Sequence, residues 1–131
     1  MAGGIGTRFW PMSRISRPKQ FIDILGTGKS LLQQTFERFA DICPRDNIYI
    51  VTNEIYKDMV IKQLEGISES QVLCEPARRN TAPCIAYACY KILDTDPDAN
   101  LVVAPSDHII LKEDVFSEVI KSALNASEKN N

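Results

Sequence analysis

The chain has 131 residues, a net charge of −2, 44% hydrophobic and 24% charged side chains, the balance of one globular unit with a single core. No apolar run approaches the roughly 20 residues of a membrane-crossing helix, and the N-terminus lacks the charged-then-apolar layout of a secretory signal, so a cytoplasmic location is expected. Cys43, Cys74, Cys84 and Cys89 form no C-x-x-C pair and lie far from His108, the one histidine, which argues against zinc and against a disulfide framework.

In chain order, the first twenty residues carry Arg8, Arg14, Arg17 and Lys19 and no acid, while the other 11 basic and all 17 acidic side chains follow. A short basic cluster within a glycine-containing loop suits a small polyanion rather than nucleic acid. Residues 20–25 read as a weak alternating strand. Ser30 with Gln33 forms a capping-box signature, and Leu31, Leu32, Thr35, Phe36, Phe39 and Ile42 then recur on one helical face until Pro44. Residues 47–52 read as a strand, 54–65 as a helix stopped by Gly66, and 71–75 as a strand. A third helix opens at Asn80 or Thr81 with Pro83 in its first turn and is expected to bury Cys84, Ile85, Ala88, Cys89 and Ile92. Residues 100–104 read as a buried strand and 113–126 as a fourth helix. This alternation implies an α/β fold, a doubly wound, mostly parallel sheet with helices on both faces, whose ligands bind beyond the carboxyl ends of the strands.

The glycine loop starts at residue 3, which leaves no room for a strand to deliver it, and the chain closes in a polar tail. Residues 1–131 are therefore expected to be a fragment of a longer protein that lacks its first strand, and either upstream residues or another chain would fill the strand's place.

Gly3-Gly4-Ile5-Gly6-Thr7-Arg8 carries the most chemical information. Closely spaced glycines allow backbone N–H groups to converge on one point as a nest for phosphate oxygens, and Arg8 and Lys19 add fixed positive charge. A plain glycine turn beside a solvated basic loop is the alternative. A dinucleotide fingerprint is excluded because Phe9 stands where its third glycine belongs. Gly26-Thr27-Gly28-Lys29-Ser30 is no P-loop, because its leading glycine would be Asp23; Ser30 is better read as a helix cap and Lys29 as a solvated lysine.

From Gly3 to Phe21, through Trp10-Pro11-Met12-Ser13-Arg14 and Pro18-Lys19-Gln20-Phe21, the sequence resembles the signature of the sugar-1-phosphate nucleotidyltransferases. The Trp-Pro and Pro-Lys-Gln-Phe forms look like the bacterial mannose-1-phosphate guanylyltransferases in particular. The segments Glu75 to Pro83 and Pro105-Ser106-Asp107-His108 extend the resemblance over nearly the whole chain. It implies a Rossmann-like nucleotidyltransferase fold, with GTP and mannose-1-phosphate as substrates and Mg²⁺ as cofactor. GDP-mannose would form by in-line displacement of pyrophosphate at the α-phosphate. The resemblance makes residues 1–131 the nucleotide-binding part of a single nucleotidyltransferase domain without its C-terminal sugar-binding part, expected to bind nucleotide weakly and to turn over poorly or not at all.

The resemblance further implies nucleotide binding at Ala2, Gly3, Gly4, Gly6, Thr7, Glu75, Asn80 and Thr81. Arg8 would meet the departing pyrophosphate, Lys19 would neutralise charge near the α-phosphate, and Asp107 would hold the metal. Glu75 suits guanine, whose N1–H and exocyclic amine one carboxylate can accept together, whereas uracil or thymine needs a donor as well. Each residue also has a structural reading: Ser106-Asp107 as a strand-end turn, Glu75 as an exposed strand-end acid, Asn80 and Thr81 as helix caps. Arg78 and Arg79 read mainly as solvated, His108 as structural, and Trp10 as either a lid or a loop anchor. The alternatives in function are the same chemistry with UTP or dTTP and glucose-1-phosphate, or a non-catalytic nucleotide-binding module. No nucleic-acid or membrane partner is expected, and self-association is left open.

Overall fold

The computed structural model describes residues 1–2, 9–77 and 80–129. Two strands, β1 (Ile50–Asn53) and β2 (Val72–Glu75), pair in parallel with Ile50 opposite Val72 and Asn53 opposite Glu75. Four helices accompany them: α1 (Leu31–Ala40), α2 (Lys57–Gln63), α3 (Thr81–Leu93) and α4 (Glu113–Lys129). The α/β character and parallel pairing expected from the sequence are present.

The sequence dictates α1 from its first residue. Ser30 Oγ accepts the Gln33 amide and the Gln33 side chain accepts the Ser30 amide at 2.8 Å, so both ends of the capping box close. Leu31, Leu32, Thr35 and Phe36 are buried on the inward face. Arg38, also buried, reaches Glu113 at 2.9 Å and lies over the Phe116 ring, which ties α1 to the start of α4. A single 3₁₀ turn, Glu54–Tyr56, leads into α2, and Gly66 at φ 82° ends that excursion in a backbone shape open to glycine. Phe21, Leu32, Phe36, Ile48, Ile50, Tyr56, Val60, Leu64 and Val72 form the core where these elements meet.

Three expectations are corrected. Residues 20–25 do not form a strand: Lys19–Phe21 is a 3₁₀ turn in which Gln20 and Phe21 are both buried, an arrangement that strand alternation forbids. Residues 100–104 run without strand pairing, and Leu101, Val102 and Val103 are 42%, 41% and 46% exposed rather than buried. On α3 only Cys84 is buried; Ile85, Ala88, Cys89 and Ile92 are half-buried, because they line an open groove beside residues 100–104.

The rejection of a P-loop at residues 26–30 has a direct structural counterpart. The Thr27 and Gly28 amides donate to the Asp23 carboxylate at 3.0 and 2.7 Å, which turns them away from any phosphate. Desolvation pushes this carboxyl up, but the Gly28, Thr27, Gly26 and Leu25 amides outweigh it and hold Asp23 below its ordinary value. Lys29 pairs with Glu37 at the surface.

Candidate functional site

Parallel strands present ligand-binding groups at their carboxyl ends, and four backbone segments end at one edge here. β1 finishes at Asn53 and β2 beside it at Glu75. Met1 and Ala2 run between β1 and the segment after Leu101. The Ala2 amide donates to Val51 O at 2.7 Å; on the other side the Met1 ammonium donates to Ala104 O at 2.9 Å and the Ser106 amide to Met1 O at 3.1 Å. The fourth segment reaches the edge at Ser106-Asp107.

Ala2 is buried, and its carbonyl accepts the Gln20 side-chain amide at 2.7 Å and Thr52 Oγ1 at 3.2 Å. With its own amide given to Val51, Ala2 is anchored at this edge by both its backbone groups. Gly3, Gly4, Gly6, Thr7 and Arg8 lie outside the described residues, as do Arg78 and Arg79.

The return of that loop places Lys19. A hairpin closes with paired backbone bonds between Arg14 and Arg17, and then Pro18, Gln20 and Phe21 bury themselves. Phe21 packs on Tyr56 with ring centroids 5.8 Å apart, and the Gln63 side chain donates to Phe21 O at 3.1 Å. With its neighbours fixed inward, Lys19 is turned to the edge, where it pairs with Asp107. The two side chains are 24% and 22% exposed, so the pair is partly shielded from water but open to a ligand. Lys19 also stands 5.6 Å from the Phe9 ring centroid. Trp10, next along, is 77% exposed, which removes the reading of it as a loop anchor.

Glu75 lies half-buried at the end of β2 beside the Cys84 thiol of α3. Burial first, then the charge of Glu75 and a hydrogen bond to it, push this thiol up to about 11, so Cys84 stays protonated beside the carboxylate. A carboxylate has about four acceptor sites, so a thiol on one leaves room for two donors of a ligand. Asn80, the residue before α3, sits at φ 69° and makes no side-chain bond to the helix end. That removes its helix-capping reading and leaves its exposed amide at the mouth of α3, next to the exposed Thr81. A left-handed residue other than glycine costs about 1 kcal/mol and concentrates at ligand-binding sites. His108 is exposed.

The site thus sets the Lys19–Asp107 pair, the Glu75 carboxylate and the buried Ala2 along a single sheet edge. A family model described as nucleotidyl transferase matches residues 1–130. The chain belongs to this family.

Among similar nucleotidyl transferases and their relatives, the xanthan biosynthesis protein XanB of Xanthomonas campestris is 41% identical over 98% of this chain and 28% of its own length. Mannose-1-phosphate guanylyltransferase 2 of Escherichia coli O157:H7 is 40% identical over 94% of this chain and 26% of its length. A crystal structure from Thermus thermophilus, described as a mannose-1-phosphate geranyltransferase, matches with a TM-score of 0.85 at 32% identity, covering 98% of this chain and 37% of that one. The chain spans 25% to 28% of the curated relatives it matches.

Within this transferase segment, sequence reasoning missed the residues that hold the site together. Ser106 is buried, and its hydroxyl donates to Met1 O at 2.7 Å; it sets the bend that presents Asp107. Gln20 locks Ala2 to the turn carrying Lys19. A serine before an aspartate and a glutamine after a lysine are common surface pairs, so only their tertiary partners identify them. Cys84 reads from sequence as an ordinary buried thiol and is buried, but its contact with Glu75 crosses from helix to strand and leaves no signal in spacing.

Proposed function

We propose that this chain is the nucleotide-binding part of a mannose-1-phosphate guanylyltransferase. The whole protein would join GTP and mannose-1-phosphate into GDP-mannose and release pyrophosphate. A phosphate oxygen of the sugar phosphate forms a bond to the α-phosphorus of GTP while the bond from that phosphorus to the bridging oxygen of the β-phosphate breaks. The observation that carries this reading is the placement of Lys19 and Asp107 together at the sheet edge where Ala2 opens into the glycine loop. The guanylyltransferase relatives support the choice of substrates.

In this reading the loop amides from Gly3 to Thr7 bind the triphosphate and Arg8 meets the pyrophosphate. The Lys19 ammonium offsets the repulsion between the attacking phosphate and the α-phosphate, a role of positioning and neutralisation. Asp107 is a hard oxygen donor of the type Mg²⁺ takes singly or in pairs, and no cluster of three acidic, histidine or cysteine side chains exists among the described residues. Asp107 would therefore supply one ligand to the ion. The ion, when bound, would neutralise charge on the phosphates. Glu75 accepts the two adjacent donors of guanine, with the Asn80 and Thr81 end of α3 following it in the chain. The protein would act in the cytoplasm; among the described residues no helix is long and apolar enough to cross a membrane.

Base selectivity tests this reading. Glu75→Gln exchanges an acceptor for a mixed donor and acceptor, which should weaken GTP binding about tenfold to a hundredfold and erase the preference for GTP over UTP, because a buried polar mismatch costs about 1–3 kcal/mol. Retention of that preference by the variant would refute the role of Glu75.

A further inference from the structure

We propose that Arg14 and Arg17 form an outer capture site for a triphosphate, the first stop of the nucleotide on its way to Lys19. This rests on the nucleotide reading above, to which it adds two residues that have no role in it.

A hairpin sets the pair. The Arg14 amide donates to Arg17 O at 3.1 Å and the Arg17 amide to Arg14 O at 3.0 Å, an antiparallel bridge around Ile15 and Ser16. Residues that exchange both bonds stand directly opposite each other, with their side chains on one face and Cβ atoms about 5 Å apart. Like charges in that position repel, and an anion shared between them relieves the repulsion. Both side chains are exposed, and neither has an ion pair among the described residues. Lys29, Arg38 and Lys57, in contrast, each meet a carboxylate. The first twenty residues contain no acid, so the hairpin carries no counter-charge of its own.

The row of charge continues to the site. Pro18 is extended, with ψ 158°, and both Pro18 and Gln20 are buried. Side chains alternate along extended backbone, so Arg17 and Lys19 project to one side, about 7 Å apart along the chain. Arg14, Arg17 and Lys19 thereby form a line of cations that ends at the pair of Lys19 with Asp107. The tip of the hairpin is pinned: Tyr56, buried against Phe21, donates its hydroxyl to Ile15 O at 3.1 Å. Each guanidinium offers a fork of parallel N–H groups to phosphate, and two side by side match a chain of phosphates better than a single one.

Exposed charges at the rim of a site speed encounter and contribute little to the settled complex, because water and salt screen them. In the bound state the phosphates belong to the glycine loop, Arg8 and Lys19; Arg14 and Arg17 act before it.

Stopped-flow association of a fluorescent GTP analogue with the protein tests this. Arg14→Gln combined with Arg17→Gln removes both charges at exposed positions and keeps polar side chains there. At low salt the association rate constant should fall about fivefold to tenfold, while the dissociation rate constant changes less than about twofold. Parent and variant should converge at about 0.5 M salt, where the Debye length is about 4 Å. Lys62→Gln combined with Lys91→Gln, at exposed positions in the last turns of α2 and α3, removes the same charge elsewhere and should leave association within about twofold of the parent. An equal loss in that control would assign the effect to net charge and overturn the proposal. Unchanged association in the arginine variant would overturn it as well, and altered sedimentation alongside would make the hairpin an interface between copies. A change in dissociation alone would put the two arginines on the settled ligand and end the capture role. A parent protein that binds no GTP analogue would refute the nucleotide reading itself, and this inference with it.

Discussion

Asp107→Asn separates a metal ligand from a strand-end turn. The Lys19–Asp107 pair is about a quarter exposed, so an effective dielectric of about 40 is appropriate, and a carboxylate about 5 Å from a phosphate charge repels it by roughly 1.7 kcal/mol. Removing that charge also frees the Lys19 ammonium for the phosphate. Allowing for salt and solvent, the net gain should be about 1 kcal/mol, so GTP without metal should bind about fivefold more tightly to the variant than to the parent. With Mg²⁺ the order reverses: the parent gains affinity, while the variant, with an amide in place of a hard anionic ligand, gains little. Lys19→Met should weaken GTP about tenfold in both conditions. Titration of a fluorescent GTP analogue in EDTA and then in Mg²⁺ reads all of these. A variant that binds metal-free GTP no better than the parent, or keeps the full response to Mg²⁺, would refute the pairing of metal and Lys19 on one carboxylate.

Further outcomes follow from the same geometry. Ser30→Ala removes a cap and a 2.8 Å bond to Gln63, whose side chain also holds Phe21 O; it should cost about 2 kcal/mol, whereas Ser30→Gly, a tolerable cap, should cost about 1 kcal/mol, as measured by urea unfolding. Cys84 at about 11 instead of 9.0 carries about a hundredfold less thiolate near neutral pH, so alkylation should be slow, and Glu75→Gln should speed it severalfold; unchanged kinetics would break the Cys84–Glu75 contact. Stability should peak between about pH 8 and 9. Below 8.0 the unfolded chain binds the Met1 proton more readily than the folded one, so stability rises with pH there. Above 9.0 the unfolded chain loses the Cys74 and Cys84 protons, which the folded chain keeps to about 11, so stability falls. Acetylating Met1 should flatten the lower limb alone.

The helices are legible because their signals are local: Ser30 with Gln33 marks a start, Gly66 a stop, and the apolar spacing of α1 a face. β1 and β2 are legible for the same reason, as short β-rich runs. Residues 20–25 mislead because Gln20, a polar residue, is buried by a bond to the Ala2 carbonyl in a different segment of the chain, a contact that no periodicity encodes. Residues 101–103 have the composition of a buried strand, but burial depends on a neighbour, and among the described residues only Met1 and Ala2 stand in that position. At the site, Lys19, Glu75 and Asp107 are legible from residue type and motif. The bonds that set them, from Ser106 to Met1 and from Gln63 to Phe21, join segments far apart in sequence and emerge only in three dimensions.

The most direct test is the position of the phosphates in a crystal of this chain, or of the longer protein that contains it, grown with GTP and Mg²⁺. The account predicts the triphosphate over Gly3 to Thr7, with Lys19 Nζ in hydrogen-bonding range of the α-phosphate and the ion on Asp107. A triphosphate bound away from this edge, with Lys19 and Asp107 still paired to each other, would contradict it.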